Sequence, residues 1–294
     1  MTEIDSSPVL KYHLPTDNRY SIAYISDDIE RGKTRRQQYE DDPSTDVVGG
    51  TVEIEGNAVY HIYTRNNPDE YLKSYQGEMD YEEWITSLSE DDAQFLLLVF
   101  DAFEGVIETV DSEDSYMELY KRMNHGDLLR VPNRVQWKQS VAAVAAELLS
   151  KFILIHPMPN SNHRTALGVV DRYMASYDSD FAMPDTGEDQ SWYPWASDFI
   201  FDSKRLLTLR RKLSLLKYAH KCGYDKVRRK DGAEIDLTEV DFDRNNHRAY
   251  YKRRHLERSR DFIDLLLERT GHSHLAEMDD KGKQVFIDRL KASS

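Results

Sequence analysis

Two imidazoles, two carboxamides and a guanidinium fall within residues 156–164, in the run Lys151-Phe-Ile-Leu-Ile-His156-Pro157-Met158-Pro159-Asn160-Ser161-Asn162-His163-Arg164-Thr165. An imidazole with an ordinary pKa near neutrality can take a proton from a hydroxyl. An arginine fork matches phosphate oxygens, and an asparagine adds a neutral amide donor. If a helix begins at Asn162, its first turn adds unpaired N–H groups and the positive end of the helix dipole, which favour an anion. The chemistry suggested is attack of a hydroxyl on phosphorus, with His156 as base and Arg164 on the phosphates. A plainer structural account fits the same residues: His156 closes a helix, Arg164 pairs with an acid, and Asn162 is an N-cap.

Positioning these groups needs a helix on each side. Val141, Val144, Ala145, Leu148, Leu149, Phe152 and Ile153 draw one apolar face, and the spacing predicts a helix over 135–155. Pro157 ends it and pushes His156 out of helical geometry. Residues 157–162 read as a tight polar loop. Helical spacing resumes through Ala166, Val169, Val170 and Tyr173. Upstream, residues 94–110 and 115–123 read as helical and 124–133 as a turn-rich connection. Downstream, helices are expected near 203–219 and 248–269, with a hairpin over 224–237 centred on Lys230-Asp231-Gly232.

The loop resembles that of the Fic/Doc family, in which His-Pro-Phe-x-(Asp/Glu)-Gly-Asn-Gly-Arg occupies such a helix–loop–helix. His156, Pro157, Asn162 and Arg164 match, Met158 replaces Phe conservatively, and Asn160, Ser161 and His163 depart. The resemblance covers roughly residues 90–215. It implies transfer of a nucleotide moiety, AMP from ATP, to a Ser, Thr or Tyr hydroxyl of a target protein. His156 would be the general base. Asn162 and neighbouring amides would hold the α- and β-phosphates, with Asn160, Ser161 and His163 beside them and Arg164 on the γ-phosphate. Asn160 stands where the family has an acidic Mg²⁺ ligand; its oxygen carries no charge, which weakens the metal. Ser161 and His163 replace small residues that let backbone approach phosphate closely. These departures leave a second outcome: a catalytically silent module that binds a nucleotide or a protein partner, of toxin–antitoxin or defence type.

Two further family features have candidates. Thr51-Val-Glu-Ile-Glu55-Gly56-Asn57 matches a helical inhibitory motif, in which Glu55, steadied by Thr51, would occupy the Arg164 guanidinium. The same residues lie within 51–63, where two alternating apolar runs flank Gly56-Asn57 and predict a hairpin instead. A target-aligning flap before the motif would fall on Leu119–Arg134, a stretch equally readable as an inter-helix loop. Other motifs are weaker. Asp241-Phe-Asp243-Arg-Asn245 starts like a calcium loop but has Asn246 and Lys252 at the glycine and glutamate positions, which excludes it. His272 and His274 follow Gly271 and read as a post-helix turn. Arg248, Lys252, Arg253, Arg254, Arg258 and Arg260, with Tyr250 and Tyr251, form either a nucleic-acid stripe or a helix face that is solvated or docked on the acidic N-terminal part, and the latter is favoured.

The 294 residues can bury a sizeable core, and 39% hydrophobic with 31% charged residues is a globular composition. Before residue 200 there are 16 Lys+Arg against 37 Asp+Glu; after it, 23 against 16. The acidic part should repel nucleic acid. Cys222 is the single cysteine, so no intrachain disulfide forms. No segment approaches the length of apolar chain that spans a membrane and no signal peptide is apparent, so a cytoplasmic location is expected. The expected fold is mainly α: a loosely organised lead-in (1–50), a Fic-type helical core with short β-hairpins (51–218), and a C-terminal hairpin and helical appendage (219–294).

Overall fold

The structure, a computed structural model, describes residues 8–67, 84, 86–110, 117, 121, 123, 125–188 and 191–293. Helix predominates beside two small sheets, an α+β arrangement with β-hairpins. Two compact units are formed, Met1–Glu78 with Lys204–Tyr251, and Met79–Ser203 with Lys252–Ser294. Each unit draws on two separate stretches of chain, unlike the three consecutive segments expected from sequence.

In the first unit, β2 (His13–Leu14), β3 (Asp17–Ser26), β4 (Thr45–Ile54) and β5 (Asn57–Asn66) make an antiparallel sheet in the order β2-β3-β5-β4. β1 (Val9–Lys11) pairs in parallel with β6 (Lys226–Arg228), which pairs antiparallel with β7 (Glu234–Asp236). Strand β5 is central, and Val59 to Tyr63 are buried without a break. Such a run requires cover on both faces of the sheet. On one face Tyr60 lies against Gly32 of α1 (Ile29–Glu40), where an added Cβ would sit 2.6 Å from the ring. On the other, Val59 and Tyr63 share a core with Leu10, Leu216, Ala219, Tyr224 and Val227. The lead-in is therefore corrected: residues 9–66 supply five strands and a helix, tied to residues 216–237 by long-range pairing.

The second unit holds α2 (Glu90–Val110), α3 (His125–Arg134), α4 (Val141–Ile155), α5 (Asn162–Ala175) and α8 (Lys283–Ser293), with parts of α6 (Pro194–Lys221) and α7 (His247–Thr270). Helix α4 is central: Val144, Ala145, Leu149 and Ile153 are fully buried. It starts at residue 141, later than expected, because the Ser140 side chain accepts the Ala143 N–H at 3.2 Å as an N-cap. Helix α5 packs along α2 through Gly168, whose Cβ would meet that of Ala102 at 3.2 Å. The connection expected at 124–133 is instead α3 over its described part, with Leu128, Val131 and Pro132 buried. Nor are residues 252–293 an appendage, since Phe262, Ile263, Leu266, Leu275, Phe286 and Ile287 belong to the same core as α4.

Candidate functional site

The run 156–164 does link two helices. Helix α4 ends at His156, which adopts the left-handed conformation (φ 62, ψ 55) while its N–H still bonds to Phe152 O at 2.8 Å. A non-glycine residue there costs about 1–2 kcal/mol and is uncommon outside caps, turns and functional sites. The His156 carbonyl accepts from Lys121 Nζ. Pro157, Met158 and Pro159 are buried, so the loop folds inward before the chain turns into α5.

Asn162 explains why the loop holds that shape. Its Oδ1 accepts the Met158 N–H at 2.9 Å, and its Nδ2 donates to Met158 O at 3.0 Å. The side chain is 3% exposed and functions as a clamp on the loop backbone. Ser161, the N-cap of α5, is also left-handed (φ 53) and makes no side-chain cap bond to the helix. Its own N–H donates to Asn160 Oδ1 at 2.7 Å.

His163 turns into the core. Its Nε2 lies 2.9 Å from Ser203 Oγ, which lies 2.8 Å from His255 Nε2. The other nitrogen of His255, Nδ1, meets Ser150 Oγ at 2.9 Å. All four residues are buried. One proton ordering satisfies this chain with both rings neutral: His163 Nε2–H donates to Ser203, Ser203 donates to His255 Nε2, and His255 Nδ1–H donates to Ser150. The expectation that His163 lies beside phosphates is not supported by this side-chain direction. Sequence reading missed Ser203, His255 and Ser150, whose separation along the chain gives no spacing signal.

Arg164 points outward from the first turn of α5. Its Nη2 donates to Ser191 O at 3.2 Å, and its guanidinium carbon lies 4.8 Å from the centre of the Trp192 ring. Arg164 also lines a cavity of about 360 Å³ with Asp101, Gly168, Asp171 and Arg172. Burial raises the Asp171 carboxyl above its usual range, although the Met183 N–H bonded to it at 2.7 Å works the other way. His156 is not among the residues lining this cavity. Asn160 offers only an uncharged oxygen, which accepts the Ser161 N–H at 2.7 Å and is a weak ligand for a hard cation. Among the described residues no group of three His, Cys, Asp or Glu is placed to hold a metal ion.

The inhibitory helix expected at Thr51 and Glu55 is not formed. Thr51 lies in β4, and Glu55 and Gly56 (φ 50 and 81) make the two-residue turn into β5. Thr51 and Glu55 therefore share no helix face. Of the flap expected over Leu119–Arg134, residues 125–134 are helical and residues 119, 120, 122 and 124 lie outside those described. The rejected calcium loop is held by ion pairs of Asp241 with Arg244 (3.0 Å) and Asp243 with Lys217 (2.5 Å). His272 and His274 follow α7 as expected and both approach Asp178. Along α7, Arg254 pairs with Glu257 at 2.8 Å, Arg258 pairs with Asp202 and Tyr251 is buried, whereas Arg248, Lys252 and Arg260 lie on the exposed face. No helix among the described residues is long and apolar enough to cross a membrane.

No curated protein and no solved structure matches the chain. One family model does, over residues 6–294, and by that match the chain belongs to DUF8172, a family of unknown function.

Proposed function

We propose that this protein is a Fic-type nucleotide-binding protein that transfers AMP from ATP to a hydroxyl side chain of a target protein. The observation that carries the reading is the α4–loop–α5 geometry: a left-handed His156 ends one buried helix, and Arg164 projects from the first turn of the next. In this reading the start of α5 and the Arg164 guanidinium hold the phosphates, and His156 takes the proton from the incoming hydroxyl. Ser161 leaves its cap position without a side-chain bond, which suits an anion at that end of the helix. Trp192 and the cavity beside Arg164 supply an aromatic surface and room for a ligand. The uncharged Asn160, whose oxygen already accepts the Ser161 N–H, weakens Mg²⁺ at the loop, so phosphate binding rests mainly on Arg164 and the helix end.

A second reading, binding without transfer, is favoured by one observation. Asn162 is committed to the loop backbone and His163 to Ser203, which removes two side chains from the ligand face. One experiment separates the two. The purified chain, His156→Ala and Arg164→Ala are each given labelled ATP, Mg²⁺ or Mn²⁺ and cell lysate, and ATP binding is measured by calorimetry. Transfer predicts labelled protein with the wild type, none with His156→Ala, and weakened ATP binding with Arg164→Ala. Binding without label marks the silent module, and absence of ATP binding by the wild type ends the Fic reading. Adding a chelator should change ATP affinity little; abolition of binding would contradict the metal-independent part.

A further inference from the structure

We infer that the first unit carries a second anion site, centred on Arg229, that takes a phosphoryl group, either free phosphate or the end of a small phosphomonoester. Arg229 is half-buried in the turn between β6 and β7. Its Nη1 donates to Thr208 Oγ1 at 2.7 Å, and its guanidinium carbon lies 4.9 Å from the centre of the Tyr12 ring. Its Nε is sealed from solvent without a hydrogen-bond partner, and no ion pair to Arg229 forms among the described residues. Leaving a buried guanidinium nitrogen unmatched is costly, and an anion would remove that cost.

Other cations converge on the same point from separate elements. Lys204 and Arg211 stand on α6 at i and i+7 of Thr208's own face, itself i+4 from Lys204. Arg211 is close enough to feel the Arg229 charge. Lys230 is exposed beside Arg229 and marks the open side. The carboxylate in their midst, Asp231, is ion-paired to Lys204. From β2, His13 adds a second sealed nitrogen, Nε2, without a hydrogen-bond partner. Burial, then the charges of Arg229 and Lys230, push His13 down to about 3, so at neutral pH it is a neutral imidazole among cations. Cations gathered from α6 and the β6–β7 turn around one guanidinium, with a neutral imidazole donor from β2, suit a compact dianion. A nucleic-acid backbone would call for charges spread along a face.

The site shares no residue with 156–164, so its test is independent of the proposed transfer. Full-length protein is titrated calorimetrically at fixed ionic strength with inorganic phosphate, AMP and a labelled 20-base-pair DNA duplex. Wild type, Arg229→Gln, Lys230→Gln and Arg164→Ala are compared, with circular dichroism to check folding. Saturable phosphate binding is expected, weakened at least tenfold by Arg229→Gln and severalfold by the surface change Lys230→Gln, and unaltered by Arg164→Ala. AMP binding tighter than phosphate, with the same Arg229 dependence, identifies a phosphomonoester as the source; equal affinities identify free phosphate. Phosphate binding insensitive to both Arg229→Gln and Lys230→Gln overturns the proposal. So does Arg229-dependent binding of the duplex that phosphate does not displace.

Discussion

Asn162 shows how a residue can match a functional motif while its visible task is mechanical. Its carboxamide satisfies both the N–H and the carbonyl of Met158, closing the loop on itself. Asn162→Ala would leave a buried N–H without a partner, a loss of about 1–3 kcal/mol. Urea unfolding of the variant should show that loss; a change below about 0.5 kcal/mol would mean the clamp contributes little. Asn162→Asp should not rescue it, since a carboxylate would face the carbonyls of Met158 and Asn160 that now accept from Nδ2. The residue types at 156–164 were legible in sequence, as was the helical exit at His156, because proline chemistry is local. The direction of His163 was not, because it depends on Ser203 and His255, brought near only by folding.

At the scale of elements, legibility followed how strongly local periodicity stood out from the surrounding polar text. The hairpin over 51–63 and the one over 224–237 form, but the first turns at Glu55-Gly56, one residue earlier than the Gly56-Asn57 read from sequence. Positive φ at both turn residues, 50 and 81, matches the mirror-image turn that fits strand twist. Strand β3 was missed because Asp17-Asn18-Arg19 looks like a turn, although it opens a ten-residue strand whose buried members are Ile22, Ile25 and Ser26. Helix α3 was missed because Gly126 and Pro132 read as breaks, whereas Leu128 and Val131 anchor it in the core. The contact of α1 with β5 is tight enough to test. Gly32→Ala would drive a methyl into the Tyr60 ring, and overpacking of this kind costs about 1–3 kcal/mol. Thermal and urea midpoints should both fall, whereas Gly50→Ala, where an added Cβ meets nothing within 4 Å, should leave them nearly unchanged.

For the molecule as a whole, acid should destabilise the first unit through its buried imidazoles. His61 is 5% exposed, and burial pushes its pKa down to about 4, while Tyr224 Oη lies 2.9 Å from its Nε2. The unfolded chain takes up this proton near its ordinary value of about 6.5 and the folded chain only near 4. Stability is therefore unaffected above about pH 6.5 and is lost as pH falls from there toward 4, by up to about 1.4 kcal/mol per pH unit for each such histidine. His13, held at about 3, adds to the same trend. Urea midpoints at pH 7 and pH 5 should differ, and His61→Gln should shrink the difference; equal shifts in wild type and variant would locate the acid sensitivity elsewhere. The division into discontinuous units also bears on synthesis. Val9 of β1 waits for Lys226 of β6, and the apolar side of β5 waits for Leu216 and Ala219. At roughly 5–20 residues per second, translating the intervening 200 or so residues takes about 10–40 s. A ribosome-bound nascent chain thus exposes an open strand edge and an apolar sheet face throughout that interval, and a stop codon placed before residue 204 would make the exposure permanent.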